Sequence, residues 1–87
     1  MGRGVVIARL RLFARAREAA GRAADDIPAG RLGELLDRAC AAYGEEFAAV
    51  LGTAAVWVNG EEPAAGRDTA LGPDDEVAVL PPVSGGR

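Results

Sequence analysis

Histidine and lysine are missing from this 87-residue chain, and cysteine occurs once, at Cys40. Without an imidazole there is no histidine general base, and no His/Cys metal cluster can be assembled. A single thiol also excludes a disulfide framework. No apolar run approaches the roughly 20 residues that a membrane span needs, and no basic start leads into a signal-peptide core. Met1-Gly2 opens like an acylation signal, but Val6 stands where that signal requires serine or threonine. These absences lead to the expectation of a cytoplasmic protein with no membrane partner, no bound cofactor and no metal.

The net charge of −3 lacks the basic excess that a nucleic-acid partner requires, so no nucleic acid is expected. The charge is unevenly distributed. Residues 1–31 hold seven arginines against Glu18, Asp25 and Asp26, whereas residues 32–86 hold Arg38 and Arg67 against ten carboxylates. An acidic half of this kind is either an ordinary solvated surface or a match for a basic face on another protein. All ten basic residues are arginine. Codon bias in a GC-rich genome accounts for that preference, which also leaves no lysine for an activated C-terminus to acylate.

At this length, and with 49% hydrophobic residues, the chain reads as one small globular domain with a thin core. Little room is left for an enclosed active site, which favours a carrier or binding role over a self-contained enzyme. The paired carboxylates Glu45-Glu46, Glu61-Glu62 and Asp74-Asp75 fall at turns, where solvated or capping roles outweigh acid/base work.

Residues 5–13 start strongly apolar and then alternate, with Ala8, Leu10 and Leu12 on one face and Arg9 and Arg11 on the other. That is a strand with one partly solvated face. Phe13 to Ala20 can form a helical turn or two, stopped by Gly21. Arg22 to Ile27 is a weak strand at or near a sheet edge. From Leu32 to Tyr43 the apolar positions 32, 35, 36, 39, 40 and 43 form one buried helical stripe, ended by Gly44. Cys40 lies on that stripe and reads as a small buried hydrophobe rather than a reactive thiol. Glu45 to Leu51 adds a short helical turn. Ala54 to Val58 is a strand running into the Asn59-Gly60 turn, and Glu61-Glu62-Pro63 begins a small return strand. A turn at residues 71–75 feeds the apolar strand Glu76 to Leu80. Trp57 and Phe13 read as core or edge-packing residues rather than docking sites. Strand, strand, helix, strand, small strand, strand is the order of an α+β, ubiquitin-like β-grasp domain. It predicts a mixed sheet packed on one main helix over residues 1–80, followed by an extended tail over 81–87.

The tail carries the chemistry. Pro81 and Pro82 lack amide donors and hold φ near −65°, so they end sheet pairing and send the chain out extended. Val83 and Ser84 add little bulk, and Gly85 and Gly86 have no side chain to obstruct a narrow channel. The pattern suits a carboxylate delivered deep into another protein.

Three stretches resemble the sulfur-carrying small subunit of molybdopterin synthase and, more broadly, the ubiquitin-like MoaD/ThiS sulfur-carrier family. They are residues 13–21 (FARAREAAG), residues 56–61 (VWVNGE) and residues 74–86 (DDEVAVLPPVSGG). The resemblance implies that Gly86 is the reacting residue. An E1-like adenylating enzyme would use ATP to adenylate its carboxylate, and a sulfur donor protein would convert the adenylate to a thiocarboxylate. The sulfur would then pass to a large synthase subunit or another sulfur-accepting enzyme. Residues 81–85 would thread the tail into each partner.

One residue departs from the family pattern, because Arg87 follows Gly86. A protease removes it, or it is a remnant of cloning, or the chain does not carry sulfur. Molybdenum cofactor synthesis leads among the pathways, with cysteine or specialised-metabolite synthesis next. A ubiquitin-like modifier or interaction module is the alternative from a different class.

Overall fold

In β1 (Ile7–Leu12) every second side chain is buried: Ala8, Leu10 and Leu12 point inward, and Ile7, Arg9 and Arg11 face out. The strand therefore obeys the period-two pattern of its sequence. The computed structural model describes residues 6–82. After β1 come α1 (Ala14–Ala20), β2 (Ala24–Pro28), α2 (Leu32–Tyr43), α3 (Glu45–Leu51), β3 (Ala55–Val58), a 3-10 turn at Gly66–Asp68, and β4 (Glu76–Leu80).

The sheet order is β2-β1-β4-β3. β1 runs antiparallel to β2 and parallel to β4, and β3 returns antiparallel to β4. A parallel pair needs a long crossover between its strands, and here everything from β2 to β3 lies in that crossover. The first and last strands thus meet at the centre of a mixed sheet with α2 across one face. This is the ubiquitin-like β-grasp architecture that the element order predicts.

The core is the meeting of two periodicities. Leu32, Leu35, Leu36 and Ala39 supply the helical stripe of α2, and Ala8, Leu10, Leu12, Val77 and Val79 supply the inner sheet face. Phe47 of α3 closes one end, with no exposed surface. Burying each such Leu, Val or Phe side chain is worth about 1.5–3 kcal/mol, enough to hold α2 on the sheet although neither helix end has a side-chain N-cap. Gly44 ends α2 with φ of 103°, a region side-chain-bearing residues avoid, and donates its N–H to the Cys40 carbonyl at 2.9 Å. Cys40 is half-buried, and burial, followed by the nearby Asp37 charge, pushes its thiol pKa up, in keeping with a packing role.

The predicted small return strand is reduced to a single bridge. Asn59 and Gly60 both take positive φ, 54° and 82°, which makes a two-residue type I′ hairpin turn. Val58 and Glu61 then exchange their two backbone hydrogen bonds, at 2.8 and 3.1 Å, and pairing stops there. Pro63 has no donor to continue a ladder.

Two polar clusters lock the ends of the fold. The Asn59 side chain accepts from the Glu76 N–H and donates to Asp75, each at 2.9 Å, while Asp75 also accepts from the Gly72 N–H at 2.7 Å. These bonds, the Asn59 amide foremost, hold the Asp75 carboxyl below its ordinary pKa. At the other end the Tyr43 hydroxyl donates to Asp25 at 2.6 Å, and Arg22 pairs with the same carboxylate at 3.0 Å. The Tyr43 hydrogen bond leads in lowering the Asp25 pKa, and burial leads in raising that of Tyr43.

Candidate functional site at the root of the tail

The topology puts β4 between β1 and β3, so the strand that carries the tail leaves from the middle of the sheet. Leu80 is its last residue and pairs with Ala55 of β3. Pro81 is half-buried and Pro82 is exposed. Val83, Ser84, Gly85, Gly86 and Arg87 lie outside the described residues. The structure thus locates the root of the predicted site and leaves its reacting end to the sequence.

Around this root the molecule presents two surfaces. The first is the outer face of the sheet. Strand register aligns Arg11 with Ala78 and Ala78 with Trp57, and sets Leu80 beside Ala55 in the next row. Phe13 follows Leu12 one residue beyond the Leu12–Val79 pair, at the same end of the sheet. Trp57 is 42% exposed and Phe13 38% exposed. Both were expected as core or edge-packing residues; the structure excludes the core for both and leaves Trp57 on the edge strand β3. Each falls on the outward phase of the alternation, and among the described residues no element covers that side of the sheet. The Arg11 guanidinium lies 5.8 Å from the centroid of the Phe13 ring, near the range of a cation–π contact. Further from the tail the same face turns ionic, with Arg9 paired to Asp26 at 2.8 Å and Arg11 to Glu76 at 3.2 Å.

The second surface is a half-open groove of about 220 Å³ lined by Arg15, Ala49, Val50, Thr53, Pro81 and Pro82. It lies on the helical side of the tail root, where α1 packs on α3. The corner between β1 and α1 distributes side chains to both surfaces. Ala14 there has φ of 52°, an uncommon conformation for a residue with a Cβ.

Among the described residues none of the groups with displaced pKa values belongs to this site; Asp25, Glu34, Cys40, Tyr43 and Asp75 serve helix ends, turns and packing. Among the described residues no three or more His, Cys, Asp or Glu side chains converge to hold a metal, and no helix is long and apolar enough to cross a membrane. The arrangement is suited to docking and to delivery of an attached chain end. Pro81 and Pro82, expected as the start of the tail, follow β4 directly, whereas Trp57, Phe13 and Arg15 were not expected on this surface. The outward phase of the strand pattern was the available signal for Trp57.

Residues 10–86 match the sequence pattern of the ThiS family. Among solved structures, small archaeal modifier protein 1 from Methanosarcina acetivorans superposes with a TM-score of 0.83 at 26% identity, over 95% of this chain and 99% of that one. Small archaeal modifier protein 1 from Haloferax volcanii gives 0.79 at 30% identity, over 92% and 99%. A Pyrococcus furiosus protein assigned as molybdopterin converting factor, subunit 1, gives 0.73 at 29% identity, over 90% and 99%. No curated protein is significantly similar in sequence.

Proposed function

This chain belongs to the ThiS family, and on that premise we propose that it carries sulfur as a thiocarboxylate on Gly86 once Arg87 has been removed. Its class is that of the ThiS/MoaD-type sulfur carriers and ubiquitin-like modifiers, proteins that work with E1-like activating enzymes and partner enzymes. The observation that carries the finer reading is the exit of central strand β4 into Pro81-Pro82, with Val83-Ser84-Gly85-Gly86 following in sequence. A stiff launch, then residues with little or no side chain, suits a carboxylate that must reach a buried reaction centre.

In this reading a protease hydrolyses the Gly86–Arg87 bond and frees the Gly86 carboxylate. An E1-like enzyme then lets that carboxylate attack the α-phosphorus of ATP, expelling pyrophosphate. Sulfide-level sulfur from the donor attacks the acyl carbon of the adenylate and displaces AMP, which keeps one carboxylate oxygen, leaving a thiocarboxylate on Gly86. The chain itself needs no acid or base. It supplies a tethered nucleophile at high effective concentration, and the sheet face and tail root supply the docking. The acceptor we assign is a pterin precursor in the large subunit of molybdopterin synthase, a reading supported by the Pyrococcus furiosus relative.

The test is the intact mass of the chain ending at Gly86 after incubation with the activating enzyme, ATP and a sulfur donor. One terminal oxygen should be exchanged for one sulfur, and an unchanged mass rejects the proposal. The two modifier proteins among the relatives favour a second reading, attachment of Gly86 to other proteins. Recovery of Gly86 in isopeptide linkage to target lysines would select it.

A further inference from the structure

Arginines on this molecule are mostly spoken for. Among the described residues, Arg9, Arg11, Arg22, Arg38 and Arg67 each pair with a carboxylate, and Arg31 donates to the Asp68 carbonyl. Arg15 and Arg17, both exposed, make no such bond, and of the two it is Arg15 that lines the groove at the tail root. The rest of the lining is Ala49, Val50, Thr53, Pro81 and Pro82, apolar apart from the Thr53 hydroxyl, which donates to the Val50 carbonyl at 3.0 Å. A guanidinium facing an apolar wall is a receptor for a short acidic side chain, because the wall takes the methylene stem while the charge takes the carboxylate.

The tail decides when this groove is covered. Four residues separate Pro82 from the far side of Gly86, and an extended chain gains at most about 3.3–3.6 Å per residue. Any protein that encloses Gly86 therefore brings the mouth of its channel to within about 13–14 Å of Pro82. A stable interface spreads over about 20–30 residues a side, so contact around that mouth extends over the groove as well as the sheet face. Covering Arg15 without supplying a negative charge would strip water from a guanidinium and return nothing.

We propose that the Arg15 groove is a second docking point, on the helical side of the tail, for an aspartate or glutamate side chain of the enzyme that activates Gly86. The inference rests on the tail-delivery reading above. It adds a charge rule: the partner carries an acidic residue beside its channel mouth, opposite in sign to what the acidic half of this chain would attract elsewhere. The contact sets the rotation of the domain about its tail, which the sheet face alone leaves less constrained.

The experiment is steady-state activation of the chain ending at Gly86 by its E1-like enzyme, followed as ATP-dependent pyrophosphate release. Arg15→Gln should raise KM about tenfold, equivalent to about 1.4 kcal/mol, with kcat unchanged. Arg15→Glu should raise it further, and Arg15→Lys should recover part of the loss. The salt dependence of KM should flatten in Arg15→Gln, while Arg38→Gln, whose side chain pairs with Glu34, should behave as wild type. Wild-type kinetics for Arg15→Glu overturn the proposal and leave the carrier reading standing. Failure of the unsubstituted chain to form an adenylate overturns both. A change in the Arg15 Nε–H resonance on deleting residues 83–87 would assign the groove to the chain's own tail and also overturn it.

Discussion

The two faces of the same four strands differ more than any two elements of the fold. Inward-facing Leu10, Leu12, Val77 and Val79 are almost wholly buried under α2, whereas outward-facing Trp57, Phe13 and Ile7 keep 38–50% of their surface exposed. Both faces contain large apolar residues, so composition does not separate them. Coverage does. One face has a helix with a matching stripe, and the other has Arg9–Asp26 and Arg11–Glu76 pairs that keep it compatible with water. Such exposed pairs contribute about 0–1 kcal/mol each, so they are poor candidates for holding the fold together. The outer face thus stays exposed among the described residues.

Substitutions on opposite faces should break this comparison cleanly. Leu10→Ala removes a fully buried side chain and should cost about 2–5 kcal/mol, read as a lower urea midpoint. Trp57→Ala, although it deletes a larger side chain, should cost less than Leu10→Ala, since a residue on an open face leaves no enclosed cavity behind. Its larger consequence should be a raised KM for activation, with kcat held. A Trp57→Ala protein as unstable as Leu10→Ala would mean that the outer face is part of the core.

Acid should distinguish the fold's locks from the open face. Asp25 and Asp75 have folded-state pKa values lowered chiefly by the Tyr43 hydroxyl and the Asn59 amide. Their stabilisation is present above the unfolded value, about 3.9, and is lost as pH falls through the lowered folded values. Urea midpoints measured from pH 6 to pH 2 should fall across that window. Tyr43→Phe should cost about 1 kcal/mol at pH 6 and flatten the acid dependence, because it removes the main cause of the Asp25 shift. The smallest effect is expected for Arg9→Ala, within about 0.5 kcal/mol at pH 7, because its partner is equally exposed.

Much of this architecture was legible in the chain because it rests on local periodicity. The stripe at positions 32, 35, 36 and 39 became the buried face of α2 with the expected bounds, and Gly44 ended it. Asn59-Gly60 became the type I′ turn its residue types demand. The small strand after it did not form, since Glu61-Glu62-Pro63 offers too few donors and no apolar phase to hold an edge. Of the proposed site, Pro81 and Pro82 carry a local signal because proline acts through its own ring, whatever surrounds it. The exposure of Trp57 and Phe13 was not legible because an aromatic residue in an alternating strand looks the same whether its face is covered or bare. Arg15 gave no local signal at all.

The sequence by itself determined the alternation of β1, the helix of α2 and the hairpin turn, all set by backbone sterics and by periods of 2.0 and 3.6. Only the tertiary structure decided which apolar side chains stay in water and which arginine lines the groove at the tail root. Those properties depend on what packs across a surface, and residues 13, 15, 57 and 81 become neighbours of one site only after β1 and β4 pair at the centre of the sheet.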